Sequence, residues 1–277
     1  MFNLSASCAR KFTPNIKITI LCNQATHETL TGDRAHLADV ADHIAIINTP
    51  THFTEAEASR FIKTSIGNYI DGNFLFLDID AFPIRDISSI DEKCGDMSLA
   101  YEMNLNPNQY TPEEYESEIF RMMEWDFPTP YFNGGVMLVN ASVKTKTFFK
   151  TWHDLWLNSK ETGNHKDQPS MHQAIKLSQL KVSPLNWEFN ILTNLTPKQK
   201  FKQPKIFHIS TVRFQERDDT LFHGIIRSIK NSAAIDWELI DKIRKSNYPW
   251  NDGGTIKRGW ISNNYKMIIS GIAKKLF

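Results

Sequence analysis

Phe74-Leu75-Phe76-Leu77-Asp78-Ile79-Asp80 is the stretch whose reading decides the fold. Four consecutive apolar residues after the turn signal Asp71-Gly72-Asn73 predict a short strand of the kind buried on both faces. Two aspartates end it. Residues two apart on an extended chain point the same way, so both carboxylates face one side at the strand's carboxyl end. In open α/β sheets ligands bind there. Like charges held close repel unless a cation lies between them, and an oxygen-rich site suits Mg²⁺ or Mn²⁺, which in turn bind substrate phosphates. A plainer reading stands beside this one: the pair caps the following turn by accepting backbone N–H groups.

Working outward, residues 4–12 predict a short helix stopped at Pro14, and Ile16 to Cys22 alternates as a strand. His43 to Ile47 is a second strand. Glu55 to Tyr69 has helical spacing, with Phe61, Ile62, Ile66 and Ile70 as its buried stripe. Beyond the acidic pair, Val136 to Val139 and Lys205 to Ile209 read as strands, and Thr147 to Leu157 as an aromatic helix. This alternation predicts an α/β sheet, mostly parallel. Segment 104–130 breaks the pattern, with Asn and Pro at its start, acidic residues in its middle and Pro128 and Pro130 at its end. It reads as an excursion over the edge of a site. From about Asp218 the character turns helical and basic, which divides the chain into a body, 1–215, and a C-terminal helical appendage, 216–277.

Composition excludes several classes. The 277 residues carry a net charge of +1, 41% hydrophobic and 23% charged residues, so no whole-chain field favours nucleic acid. Cys8, Cys22 and Cys94 form no CxxC pair and fit neither a disulfide framework nor a zinc site, which points to a reducing cytoplasm. No apolar run has the length to span a bilayer.

Downstream lies Tyr131-Phe132-Asn133-Gly134-Gly135-Val136-Met137-Leu138-Val139-Asn140. Gly134 and Gly135 let backbone approach a ligand, and Asn133 offers donor and acceptor groups to sugar hydroxyls. A turn entering a buried strand explains the same residues. Asp167-Gln168 begins a helical stretch, where Asp also serves as an ordinary N-cap. Leu185-Asn186-Trp187-Glu188-Phe189-Asn190 and Ile206-Phe207-His208-Ile209 follow. In this order, over residues 4–215, the motifs resemble the GT-A-fold glycosyltransferases, particularly family 8 and its relatives.

That resemblance implies an enzyme with a nucleotide-sugar donor, a UDP-sugar first among them, and a glycan or lipid-linked acceptor. It implies Asp78, Asp80 and His208 as ligands of Mn²⁺ (or Mg²⁺), the imidazole favouring Mn²⁺. Asp167 and Gln168 would face the donor sugar near the reacting carbon, and Asn133 and Gly134 would help to seat it. On the helix before the acidic pair, Arg60 and Lys63 are three apart, hence on one face, and a basic residue there reaches the donor's phosphates in similar enzymes. After the metal histidine, family members often carry Gly and Lys; here Ser210-Thr211-Val212-Arg213 stand instead, with Arg213 as a phosphate contact. Family 8 membership would imply retention of anomeric configuration. Members usually begin with a strand that cups the base, whereas this chain starts at the following helix, which predicts that strand 16–22 lacks support on one side.

Two rival functions stay open. A phosphatase of the haloacid-dehalogenase type also places DxD after an apolar strand, although Ala81 and Phe82 follow here rather than the Thr or Val usual two residues on. A GT-A-like protein that binds without turnover is the other. The C-terminal stretch from Lys257-Arg258-Gly259-Trp260 to Lys274-Lys275-Leu276-Phe277 mixes aromatic, apolar and basic residues. It reads as a tail helix packed on the body or as one lying on a membrane surface.

Overall fold

The computed structural model describes Phe2 to Leu276 apart from residues 33–34, 36–37, 92–94, 193–195, 197–202, 210–220, 233, 246–255, 257–259 and 261–264. Cys94 and the Ser210–Arg213 segment therefore lie outside the described residues. The elements are α1 (Phe2–Phe12), β1 (Thr19–Cys22), α2 (Gln24–Glu28), β2 (His43–Ile46), α3 (Glu55–Ser65), β3 (Phe74–Leu77), β4 (Ala81–Pro83) and β5 (Met97–Tyr101). There follow α4 (Glu114–Met122), β6 (Phe132–Val139), α5 (Val143–Glu161), α6 (Gln168–Leu177), β7 (Val182–Pro184), β8 (Ile191–Leu192), β9 (Ile206–His208), α7 (Leu221–Ser232), α8 (Trp237–Lys245) and α9 (Tyr265–Leu276).

The strands form sheets ordered β1-β2, β3-β6-β5-β7 and β4-β9-β8. The α/β class stands, but the pairing is evenly mixed rather than mostly parallel. Among the described residues β1–β2, β5–β7 and β8–β9 are parallel, while β3–β6, β5–β6 and β4–β9 are antiparallel. The cause is β6, which runs back between β3 and β5; an antiparallel return needs no crossover helix, so strand–helix alternation does not reveal it. β6 also begins earlier than expected, so Asn133-Gly134-Gly135 lies inside a fully buried strand and not in a turn before it. β3 differs too. Its four residues are all half-buried instead of buried on both faces, because among the described residues β3 is an edge strand with β6 on one side only. Among the described residues β1 likewise pairs with β2 alone.

Three core clusters hold the site elements, one of them gathering Ala81, Ala100, Val136 and Ile206 with Leu75 and Leu77 of β3. Phe148, Phe149 and Trp152 of α5 pack on Met97, Leu99, Met137 and Val139 of β5 and β6. Trp152 is fully buried, and its indole N–H donates to the backbone oxygen of Asp167 at 2.9 Å, which fixes where α6 begins. The third core joins Leu4 and Cys8 of α1 to Phe82 and Phe207, with Ile225 of α7 and Ile240 and Ile243 of α8 added to it. Burial pushes the Cys8 thiol up to about 12, so it acts as a packing group.

The start of α3 is set by a capping box: Thr54 Oγ accepts from Glu57 N, and the Glu57 carboxylate accepts from Thr54 N at 2.8 Å. Lys160 of α5 lies 2.9 Å from the same carboxylate. That charge pair compensates the burial of Glu57, which with Ala58, Thr64 and Ser65 is buried on α3, while Phe61 and Ile62 of the expected stripe are only half-buried. Segment 104–130 contains α4 and is pinned at Glu116, whose buried carboxylate accepts from the hydroxyls of Tyr110 and Tyr131. Tyr110, Phe127 and His172 stack about Tyr131 with ring centroids 4.3–5.1 Å apart. No helix among the described residues is long and apolar enough to cross a membrane.

Candidate metal and donor site

β3 ends at Leu77, where the chain leaves one sheet for another. Asp78 N donates to Gly135 O of β6 at 2.8 Å, and Ile209 N donates to Asp80 O at 2.9 Å, so the Asp78–Asp80 turn is stitched to both sheets. The β4–β9 register sets His208 opposite Ala81. His208 Nε2 consequently lies 3.3 Å from Asp80 Oδ1 and 4.0 Å from Asp78 Oδ2. One ligand atom from each of the three falls within 4.8 Å of the others. Two carboxylates and an imidazole converging at a half-open position form a donor set that fits a divalent ion such as Mn²⁺ or Mg²⁺.

The turn-cap reading does not describe Asp78, whose side chain is turned toward α3. Lys63 Nζ donates to Asp78 Oδ2 at 2.9 Å and lies 3.2 Å from Asp167 Oδ2. Arg60 Nε approaches the other oxygen of Asp167 at 3.7 Å. Asp167 occupies the N-cap position of α6 but makes no side-chain capping bond, so its carboxylate is committed to the two cations. The charges explain the acid–base behaviour of the cluster. Burial alone would push the Lys63 ammonium down, and Asp167 and Asp78 more than offset it, holding the group above its ordinary range. Burial opposes ionisation of Asp167 as well, yet Lys63 and Arg60 keep it below the usual carboxylate value. Asp78 is raised, first by burial and also by the Asp80 and Asp167 carboxylates, despite Lys63 and His208.

Gln168, the first residue of α6, accepts from Gly134 N at 3.3 Å and donates from Nε2 to Glu102 Oε2 at 2.8 Å. Asn133 is largely turned inward: Oδ1 accepts from Gly135 N and from Asn190 Nδ2, both at 2.9 Å, and Nδ2 donates to Glu102 Oε2 at 3.0 Å. One amide hydrogen of Asn133 is left for other partners. A Cβ built on Gly134 would stand 3.0 Å from Met171 Sδ and 3.9 Å from Lys63 Nζ, so backbone, ammonium and α6 meet tightly there. Of the sequence-derived residues, Lys63, Arg60, Asp78, Asp80, Asn133, Gly134, Asp167, Gln168 and His208 therefore share one site; Arg213 lies outside the described residues.

Glu102 is the residue that sequence reading passed over. Its side chain is buried, it gathers Asn133 and Gln168, and Met103 and Asn104 after it both take left-handed φ of 54°. Strained backbone of this kind persists where the surroundings over-determine it, as functional sites do. The available signal was the one that exposed Asp78, a carboxylate closing an apolar strand, here Met97-Ser98-Leu99-Ala100-Tyr101.

Comparison with known proteins adds three findings. Among solved structures the chain is similar to galactosyltransferase LgtC in complex with donor and acceptor sugar analogues. That match has 16% identity, 88% of this chain and 92% of the other covered, and a TM-score of 0.53. It is also similar to the glycosyltransferase GlyE of Streptococcus pneumoniae TIGR4, with 16% identity, 88% and 62% covered, and a TM-score of 0.56. At these identities the likeness is one of fold, the GT-A architecture. No curated protein sequence matches the chain. The family profile described as nucleotide-diphospho-sugar transferase matches residues 70–218, which run from the turn before β3 past His208. The chain thus belongs to the nucleotide-diphospho-sugar transferase family.

Proposed function

We propose that this chain transfers a sugar from a nucleotide-diphosphate donor, a UDP-sugar, to a glycan or lipid-linked acceptor, with retention as in family 8. The observation that carries the proposal is the convergence of Asp78, Asp80 and His208 beside Lys63 and the Asp167-Gln168 start of α6. Asp78, Asp80 and His208 would hold Mn²⁺ or Mg²⁺, which supplies a Lewis acid for the charge of the departing diphosphate. Lys63 brings a fixed positive charge to the same edge, and Arg213 is assigned to the phosphates on sequence grounds. Gln168 presents its amide beside the Gly134 backbone, where it would orient the sugar; Asp167 holds Lys63 and Arg60 in place. Glu102 keeps Gln168 and Asn133 in register.

Calorimetric titration of UDP with and without Mn²⁺ tests the reading. Metal-dependent UDP binding is expected in the wild type and is expected to vanish in Asp80→Asn. Phosphate release from a generic phosphomonoester, abolished by Asp78→Asn, would replace this function with the phosphatase. No nucleotide binding under any condition would leave a GT-A-like binding protein.

The acceptor side has its own observation. On α9, Tyr265, Ile269, Ile272 and Leu276 are 68%, 66%, 45% and 73% exposed, while Ile268 is buried. Their spacing of four, three and four puts them on one helical face. From Gly254 to Phe277 the sequence holds Lys257, Arg258, Lys266, Lys274 and Lys275 and no acidic residue. An apolar stripe in a basic segment fits the anionic face of a bilayer, at the cytoplasmic side in our reading. Co-sedimentation with phosphatidylglycerol-containing vesicles is expected, and Ile269→Glu with Ile272→Glu is expected to release the protein. Equal pelleting of wild type and double variant would remove membrane contact from the proposal.

A further inference from the structure

Polarity propagates through the buried amides without ambiguity. A backbone N–H can only donate, so the Asn133 atom facing Gly135 N at 2.9 Å is its oxygen. The Asn190 atom that shares this oxygen, also at 2.9 Å, must then be the amide nitrogen. That leaves the Asn190 oxygen facing His208 Nδ1 at 3.1 Å, where only a protonated Nδ1 makes a hydrogen bond. Asn190 is fully buried, Asn104 Nδ2 holds its backbone oxygen at 2.6 Å, and the bond to Asn133 Oδ1 fixes which way its amide faces. At the far side of the ring, Nε2 faces Asp80 and Asp78.

We infer that Asn190 is a positioning residue for the metal site: it holds the His208 imidazole with Nδ1–H donating to its amide oxygen and with Nε2 turned toward Asp78 and Asp80 as the nitrogen available to an ion held between them. The inference rests on the metal-site reading above and assigns Asn190 no contact with substrate. The tautomer originates at the Gly135 backbone and reaches the ligand through two side-chain amides. Partners of this kind commonly change metal affinity by about 10–100-fold when removed.

The test is Mn²⁺ affinity measured by calorimetry in the absence of nucleotide, on wild type, Asn190→Leu, Asn190→Asp and Asp80→Asn. Asn190→Leu removes the acceptor and is expected to bind about 10–100-fold more weakly. Asn190→Asp keeps an acceptor for Nδ1–H and is expected to stay within about tenfold of wild type, although it loses the bond to Asn133. A purely structural role would lower both variants together. The inference is overturned by wild-type affinity in Asn190→Leu, or by an Asn190→Asp as weak as Asn190→Leu. A wild type that binds no Mn²⁺ overturns the metal-site reading itself, whereas binding in wild type and loss in Asp80→Asn keep that reading whatever Asn190 does. Should the Asn190 variants not fold, NMR of the histidine side chains in Zn²⁺-loaded wild type decides. Ligation through Nε2 with a protonated, exchange-protected Nδ1 supports the inference, and ligation through Nδ1 overturns it.

Discussion

Gly135→Ala is expected to abolish measurable Mn²⁺ binding in a protein that still folds. A Cβ at this position would stand 2.1 Å from His208 Cε1, 2.7 Å from Nδ1 and 2.9 Å from Nε2, so the ring and the strand cannot both keep their places. Gly135 is bonded on both backbone sides, its N–H to Asn133 and its oxygen to Asp78 N, and β6 is buried along its whole length. The imidazole is therefore the part that yields. Overpacking of this sort costs about 1–3 kcal/mol of stability, a loss a domain of this size survives. Calorimetry for the ion and denaturant unfolding for the fold report the two effects separately. Wild-type Mn²⁺ affinity in Gly135→Ala would contradict the placement of His208 against β6.

Lys63→Met is expected to produce the largest change in stability. The Lys63 side chain is 14% exposed and lies within 3.2 Å of both Asp78 and Asp167. Removing one partner of a buried ion pair costs about 3–5 kcal/mol, because the remaining charge stays desolvated and alone. Asp167 keeps Arg60 at 3.7 Å, so Asp78 bears most of that penalty, with only His208 at 4.0 Å and partial exposure to relieve it. Mn²⁺ at Asp78 would replace the missing charge. The rise in melting temperature on adding Mn²⁺ should accordingly be larger in Lys63→Met than in wild type. An equal rise in the two proteins would show that Lys63 and the ion do not share Asp78.

The two substitutions probe different kinds of information. The Phe74–Leu77 strand, the acidic pair two residues apart and the Asp167-Gln168 helix start were legible from local pattern, because strand period and helix entry depend on neighbouring residues. So was His208, once order along the chain was considered. The antiparallel return of β6 and the edge position of β3 were not legible, since a pairing partner distant in sequence leaves no local mark. Glu102 escaped for the same reason, an acid after a strand being ordinary until a fold brings it beside Gln168, and Asn190, legible as the end of the Leu185–Asn190 motif, gave no sign that it would meet His208.

Sequence alone thus determined which groups are candidates for a metal site, two carboxylates and an imidazole in an α/β frame, because those residue types and their order are written in the chain. Tertiary structure alone decided how they are held. The ring of His208 fits only over a residue without a Cβ, Asp167 serves the cations of α3 rather than its own helix, and a run of buried amides orients the imidazole. Those are consequences of close approach between distant segments, where sterics and hydrogen-bond polarity act over a few ångströms and not along the chain.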